Sequence, residues 1–301
     1  MAEFWGVLAA AASSAFGGTS IGATRYLVAY LDPLAIGSFR FGIGCLLLAP
    51  IALISGQRWP ERRDWLQTAG LGLLFFAVFP VLFNASLIYT TSARGALALS
   101  TLPLLTLVVG ALLGSEALTA RKTVGVLTAM AGVGFALLSG LGQAPPMAWL
   151  GDLLMIAAAF CMALYGIWSK PVIRRCGPIP FTAVAMAIGA LMLIAVSALR
   201  GSFAAVAQFG WQQWSAAVYL GAFGAALTFY LWAFALERAS PTRVAVTVTV
   251  NPVTASLVGA LMLNEPIGWN LVVGIIVVGA GIWLATTDGA RGLPSSRCSA
   301  T

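Results

Sequence analysis

The sequence predicts an all-α membrane protein of ten transmembrane helices built as two inverted five-helix repeats. Three observations predict it. Of its 301 residues, 60% are apolar and 8% charged, whereas a water-soluble domain carries about 25% charged residues. Apolar runs of about 20 residues, enough to cross roughly 30 Å of hydrocarbon at 1.5 Å per residue, recur along the chain. The second half also repeats the first at an offset of 149 residues. Barrel strands fail as an alternative, because these runs are apolar on all sides and exceed the roughly 10 residues of such a strand.

Taken in order, the first run, 4–24, follows Glu3 rather than a basic stretch and has a later counterpart that nothing would cleave. It therefore reads as a span and not as a secretory signal. Runs at 33–55, 66–89, 93–113 and 123–140 follow, separated by charged or Pro/Gly-rich breaks. The second unit supplies 149–169, 180–199, 214–236, 244–263 and 269–286. The organisation is thus a first repeat over 1–142, an inverted second repeat over 143–287, and a polar tail, 288–301, read as disordered and cytoplasmic.

Charge sets the direction of insertion. With both termini in the cytoplasm, twelve Lys and Arg residues fall inside and only Arg25, Arg94 and Arg200 fall in outside loops, as the preference of basic loops for the cytoplasmic face requires. This predicts a multi-pass protein of a bacterial inner membrane. The net charge of +7 is then matched by anionic lipid of the inner leaflet, with no nucleic-acid partner. Trp5, Trp59, Trp65, Trp149, Trp211, Trp214 and Trp269 lie close to span ends, where indole rings favour the interface.

At the 149-residue offset Phe16 falls on Tyr165, Gly17 on Gly166, Arg25 on Arg174, Arg94 on Arg243, Pro103 on Pro252, Glu116 on Glu265 and Gly132 on Gly281. Five spans per unit is an odd number, so the two copies cross in opposite senses. Secondary transporters use that arrangement for alternating access around a site near the midplane.

The segment 91–105, ending at Gly114-Ser115-Glu116, and its mate from Pro241-Thr242-Arg243 through Val250-Asn251-Pro252 to Leu263-Asn264-Glu265, resemble the EamA-type signature of the drug/metabolite transporter superfamily. Pro33 followed by Arg40-Phe41 fits the same pattern, and the resemblance runs over essentially the full chain. Within the superfamily the sequence is similar to the YddG-type exporters of aromatic amino acids. The resemblance implies export of small neutral or zwitterionic metabolites such as aromatic amino acids, with no cofactor and no obligatory protein partner. The alternative is an exporter or flippase for cationic drugs or polar lipids.

Several residues are candidates for the solute path. Pro103 and Pro252 sit near the middle of spans four and nine, and each removes a backbone donor, so the carbonyls of Leu99 and Val248 are released toward a cavity. Thr247 and Asn251 form a polar stripe whose repeat mates are Ala98 and Leu102. A duplicated scaffold that binds an asymmetric solute is expected to diverge at its contacts. Phe79, Phe83 and Asn84, Tyr165 and Trp168, and Phe229, Tyr230 and Trp232 are an aromatic set expected around the same chamber. Ser14 stands at the depth where short multidrug antiporters of the superfamily carry a glutamate.

All nine acidic residues lie in loops, tails or near span ends. No carboxylate is thus placed at the midplane to carry a proton, which predicts downhill facilitation. Arg40 is the one cation inside a span. It is placed either to meet a substrate carboxylate or, as a scaffold feature, to reach the outer surface, Asp152 or a backbone carbonyl. Arg94 and Glu116, with their mates Arg243 and Glu265, form a twofold-related set suited to gate or loop-fixing pairs. The chain has no histidine, and its four cysteines lack metal-ligand or redox spacing. Neither a metal site nor a nucleophile with its base is expected, and the chain does not read as an enzyme.

Overall fold

The computed structural model describes residues 2–90, 92–136, 146–254 and 269–286. Among these residues there is no strand. Ten helical segments account for the spans: α1 (Ala2–Leu27), α2 (Pro33–Ile54), α3 (Arg62–Tyr89), α4 (Arg94–Leu112), α5 (Ala120–Ala136), α6 (Ala148–Cys176), α7 (Pro178–Leu199), α8 (Trp211–Arg238), α9 (Pro241 to residue 254) and α10 (Trp269–Thr286). Seven are long and apolar enough to cross a membrane by themselves. The junction between repeats, the end of the ninth span, Glu265 and the tail lie outside the described residues.

Helix starts follow local chemistry. At α2 the Asp32 carboxylate accepts from the amide of Leu34 at 2.8 Å, with Pro33 in the first turn, where a missing N–H costs nothing. Ser240 and Pro241 do the same for α9, Ser240 Oγ accepting from the Arg243 amide.

Packing obeys a pseudo-twofold axis. Helix α1 lies on α8 and its counterpart α6 lies on α3, while α2 packs on α7, α4 on α9 and α5 on α10, each against its own repeat mate. Helices α5 and α10 pack closely through glycine. A Cβ on Gly132 would lie 2.8 Å from the Val278 amide nitrogen, and one on Gly281 would overlap the Ala129 amide nitrogen. Ala129 and Val278 are themselves mates at the 149-residue offset, so one contact is made twice. Small residues allow such backbone approach where lipid offers no hydrophobic drive.

The ion pairs repeat too. Arg94 pairs with Asp152 and Arg243 with Glu3. The offset that carries Arg94 onto Arg243 carries Glu3 onto Asp152, so the two bridges are twofold equivalents at opposite ends, each joining one repeat to the other. In the expected set of gate or loop-fixing pairs Glu116 and Glu265 accompany the arginines; Glu265 lies outside the described residues, and among those residues Glu116 pairs with neither arginine. Glu116 instead accepts from Lys122 at 3.1 Å and from the Thr242 amide at 2.9 Å, fixing the α4–α5 turn against the start of α9.

Two local distortions are also mates. Helix α3 widens to a π turn at Leu74–Val78 and α8 at Ala222–Leu227. In α3 the cause is Pro80, which has no N–H for the Phe76 carbonyl and whose ring would strike it. Position 229, the mate of Pro80, is phenylalanine, so α8 has its π turn without a proline. Helices α4 and α9 break one turn before their prolines. Ser100 and Thr101 form a turn in α4, and Thr247–Thr249 is a 3-10 turn in α9. Hydroxyls of Ser100, Thr101, Thr247 and Thr249 donate to carbonyls three or four residues earlier, so these polar side chains are satisfied within their own helices beside the breaks.

Candidate functional site: a central cavity between the repeats

A small cavity, about 40 Å³ in this conformation, lies between the repeats, walled by α1, α2, α3, α4, α6, α8 and α9. Eight expected residues line it: Ser14 from α1, Phe79 and Phe83 from α3, Leu99 from α4, Phe229 and Trp232 from α8, and Val248 and Asn251 from α9. The mates Leu99 and Val248 sit at the two helix breaks, so the paired prolines present equivalent positions to one chamber. Gly18 brings α1 against α9, since a Cβ there would overlap the Asn251 carbonyl and the Thr254 hydroxyl.

Seven other candidates are not on the wall. Tyr165 is fully buried and stacks on Phe75 with ring centres 4.0 Å apart. Trp168, three residues on, turns to the periphery and is 42% exposed. Asn84, one residue past Phe83, points away from the chamber and donates to the Pro33 carbonyl at 2.9 Å. Tyr230, next to Phe229, packs toward Leu48, Ala52 and Ala183. Thr247 lies one layer back, where it donates to the Val244 carbonyl and accepts from Ser14 across 3.1 Å. Pro103 and Pro252 are buried in their helices and shape the wall without forming it.

The cavity also takes Arg40, one of whose expected roles is to meet a substrate carboxylate, and residues not proposed as its lining: Ser13, Gly17, Ile21, Met162 and Thr228. Behind it Phe75 and Phe76 join Phe41, Phe79 and Phe229 in a continuous aromatic core. The repeat mates of Phe75 and Phe76 are Gly224 and Ala225, so divergence at the 149-residue offset is the sequence signal that could have found them.

Arg40 is 4% exposed. Of the alternatives open to it, the structure shows the backbone carbonyl: its Nε and Nη2 both donate to Gly224 O, at 3.1 and 2.7 Å. That carbonyl is available because in the π turn the Thr228 amide donates to Phe223 O and passes over Gly224 O. Asp152, the other candidate acceptor, is occupied by Arg94 and by Thr90 Oγ1, the latter at 2.9 Å. The guanidinium carbon stands 5.5, 5.9 and 5.8 Å from the ring centres of Phe41, Phe83 and Phe229, within the range of cation–π attraction. Ser13 completes this wall by donating to Thr228 O at 2.8 Å.

Two polar atoms on the cavity wall have no hydrogen-bond partner among the described residues: Trp232 Nε1, a donor, and Asn251 Oδ1, an acceptor. Buried polar atoms in native structures are almost always paired, so these two are open to a solute or to water. Among the described residues neither an acidic side chain nor a candidate metal cluster is found at the cavity.

A helical bundle of inverted repeats around a shared, partly polar chamber defines a membrane transporter. Comparison with known proteins supports that class. The EamA-like transporter family model matches residues 4–138 and again 149–287, and the chain belongs to that family. It is 28% identical to an uncharacterized transporter of Archaeoglobus fulgidus over 93% of this chain and 97% of that one. It is 24% identical to the uncharacterized transporter YyaM of Bacillus subtilis, over 91% and 90%. A chloroplastic WAT1-related protein of Arabidopsis thaliana is 25% identical over 89% of this chain and 66% of its own. A solved crystal structure shares the fold, with a TM-score of 0.73 at 22% identity over 98% of both chains.

Proposed function

We propose that this transporter exports small zwitterionic or neutral metabolites of amino-acid type, aromatic side chains included, by alternating access of the central cavity. The observation that carries the reading is the composition of that cavity: ring faces from Phe79, Phe83 and Phe229 beside an unpaired donor on Trp232 and an unpaired acceptor on Asn251. Ring faces and edges suit an apolar side chain, and a few fixed polar atoms orient the rest. The ion pairs Arg94–Asp152 and Arg243–Glu3, at opposite ends of the bundle, act as alternating latches between the repeats. With no carboxylate among the described lining residues, the cavity offers no proton carrier and movement is downhill. The buried guanidinium of Arg40 counts against cationic drugs as the alternative cargo, since like charges in one chamber repel. On this reading both termini are cytoplasmic, as the excess of basic residues in the loops on one side favours.

The test is counterflow in proteoliposomes with a panel of labelled amino acids, wild type against Asn251→Ala. Saturable uptake of aromatic amino acids by the wild type, with a half-saturation concentration raised roughly tenfold in Asn251→Ala, is expected. Wild-type flux no greater than in protein-free vesicles for every compound would refute the reading.

A further inference from the structure

We propose that the solute is recognised by its carboxylate, which Arg40 holds with help from Trp232, and that an α-ammonium is dispensable. The cavity then takes small apolar or aromatic monocarboxylates as a class, with amino acids as members of it. The inference rests on the transport reading above and goes further by naming the group that decides entry.

The argument begins with charge. Arg40 is a cavity-wall residue and is 4% exposed. A guanidinium carries five N–H donors and stays charged at any pH a protein meets. Nε and Nη2 serve Gly224 O, and Nη1 has no acceptor among the described residues. No acidic side chain among those residues lines the chamber, so the site holds an uncompensated positive charge in a low-dielectric setting. Such a charge is satisfied by an anion or left at a cost.

Donor geometry gives the same sign. Trp232 Nε1 can only donate, is buried with its residue 3% exposed, and has no partner among the described residues. A carboxylate offers about four acceptor positions and can bridge two donors. For an ammonium the provision is thin. Asn251 Oδ1 is the unpaired acceptor on the wall, and the Phe83 and Phe229 rings that could face a cation already stand beside Arg40. The rest of the lining, including Ile21, Phe79, Leu99, Met162 and Val248, is apolar and suits the body of the solute.

Arg40 is also held in place before any solute arrives. The π turn of α8 frees the Gly224 carbonyl, and that carbonyl fixes the guanidinium by two hydrogen bonds from one edge. Its remaining edge is thereby oriented without loss of further side-chain freedom on binding.

The ligand series phenylalanine, 3-phenylpropanoate, phenylalaninamide and 2-phenylethylamine separates the two charged groups. Affinities are read by isothermal titration of the detergent-solubilised full chain, and flux is read separately in proteoliposomes with labelled phenylalanine. Phenylalanine and 3-phenylpropanoate are expected to bind, and the amide and the amine at least about tenfold more weakly, as loss of a charge-assisted pair implies. Arg40→Gln should erase this preference and Arg40→Lys should keep part of it. Trp232→Phe, which retains a ring and removes the N–H, should weaken only the two carboxylates. Equal wild-type affinity for all four compounds, binding of none, or an unchanged preference in folded Arg40→Gln would overturn the proposal. The wild-type series decides even if Arg40→Gln does not fold. Selective binding of carboxylates without flux would sink the transport reading and leave this inference standing; flux indifferent to the carboxylate would do the reverse.

Discussion

Replacing Asp152 by Asn removes the carboxylate that ties the start of α6 to α3 and α4, and the structure sets how much that costs relative to the matching change at the other end. Asp152 and Arg94 are each 24% exposed, and Asp152 also accepts from Thr90 Oγ1 at 2.9 Å. Hydrogen bonds to charged groups in partly buried settings are worth about 1.5–3 kcal/mol, so Asp152→Asn should cost ~2 kcal/mol. Glu3, the repeat mate, is 50% exposed beside Arg243, and an exposed pair contributes at most about 1 kcal/mol. At roughly 2 °C per kcal/mol for a chain of this size, thermal unfolding in detergent followed by circular dichroism should show Tm falling by ~4 °C for Asp152→Asn and by ~2 °C or less for Glu3→Gln. The exchange Arg94→Asp with Asp152→Arg should recover more than half of the loss. A larger effect at Glu3 than at Asp152, or no recovery in the exchanged pair, would refute the reasoning.

Two further changes probe the scaffold and the periphery. Gly281→Val drives a branched Cβ into the Ala129 amide across α5–α10 and should destabilise by about 1–3 kcal/mol, seen as a Tm drop of several degrees, whereas Gly279→Val, at a glycine with open space around it, should change little. Trp168→Ala, outside the cavity wall and 42% exposed, should leave the half-saturation concentration for any transported solute within about twofold of wild type; a tenfold rise would mean that the chamber is misplaced.

How legible the protein is from its sequence depends on which physical signal a feature leaves. Spans are long apolar runs and leave a strong one, so α2 and α10 begin where hydropathy places them. The duplication leaves matched prolines, glycines and charges, and it points to Leu99, Val248 and Asn251. Facing direction leaves little trace. A helix apolar on all sides gives no period to say which ring turns inward, and Tyr165, Trp168 and Tyr230, each on the same helix as a true wall residue, could not be told from Met162, Phe229 and Trp232. The π turns were hidden for a related reason. Pro80 marks one, but its mate is Phe229, so the second carries no proline signal, and the contact it makes possible between Gly224 and Arg40 joins two repeats, which no local pattern encodes. The partners of Arg94 and Arg243 were hidden because Glu3 and Asp152 lie far away in the chain, although the offset relates them as it does the arginines.

The central claim is that a single chamber, shared by two inverted repeats, opens to each face in turn. Leu99 and Val248 are repeat mates, both on its wall, and in a background lacking the four native cysteines each can be changed to Cys. Labelling with a membrane-impermeant maleimide, applied to one face at a time, should modify both positions from either face and abolish flux once complete. Modification from one face alone, or from neither, would contradict the account.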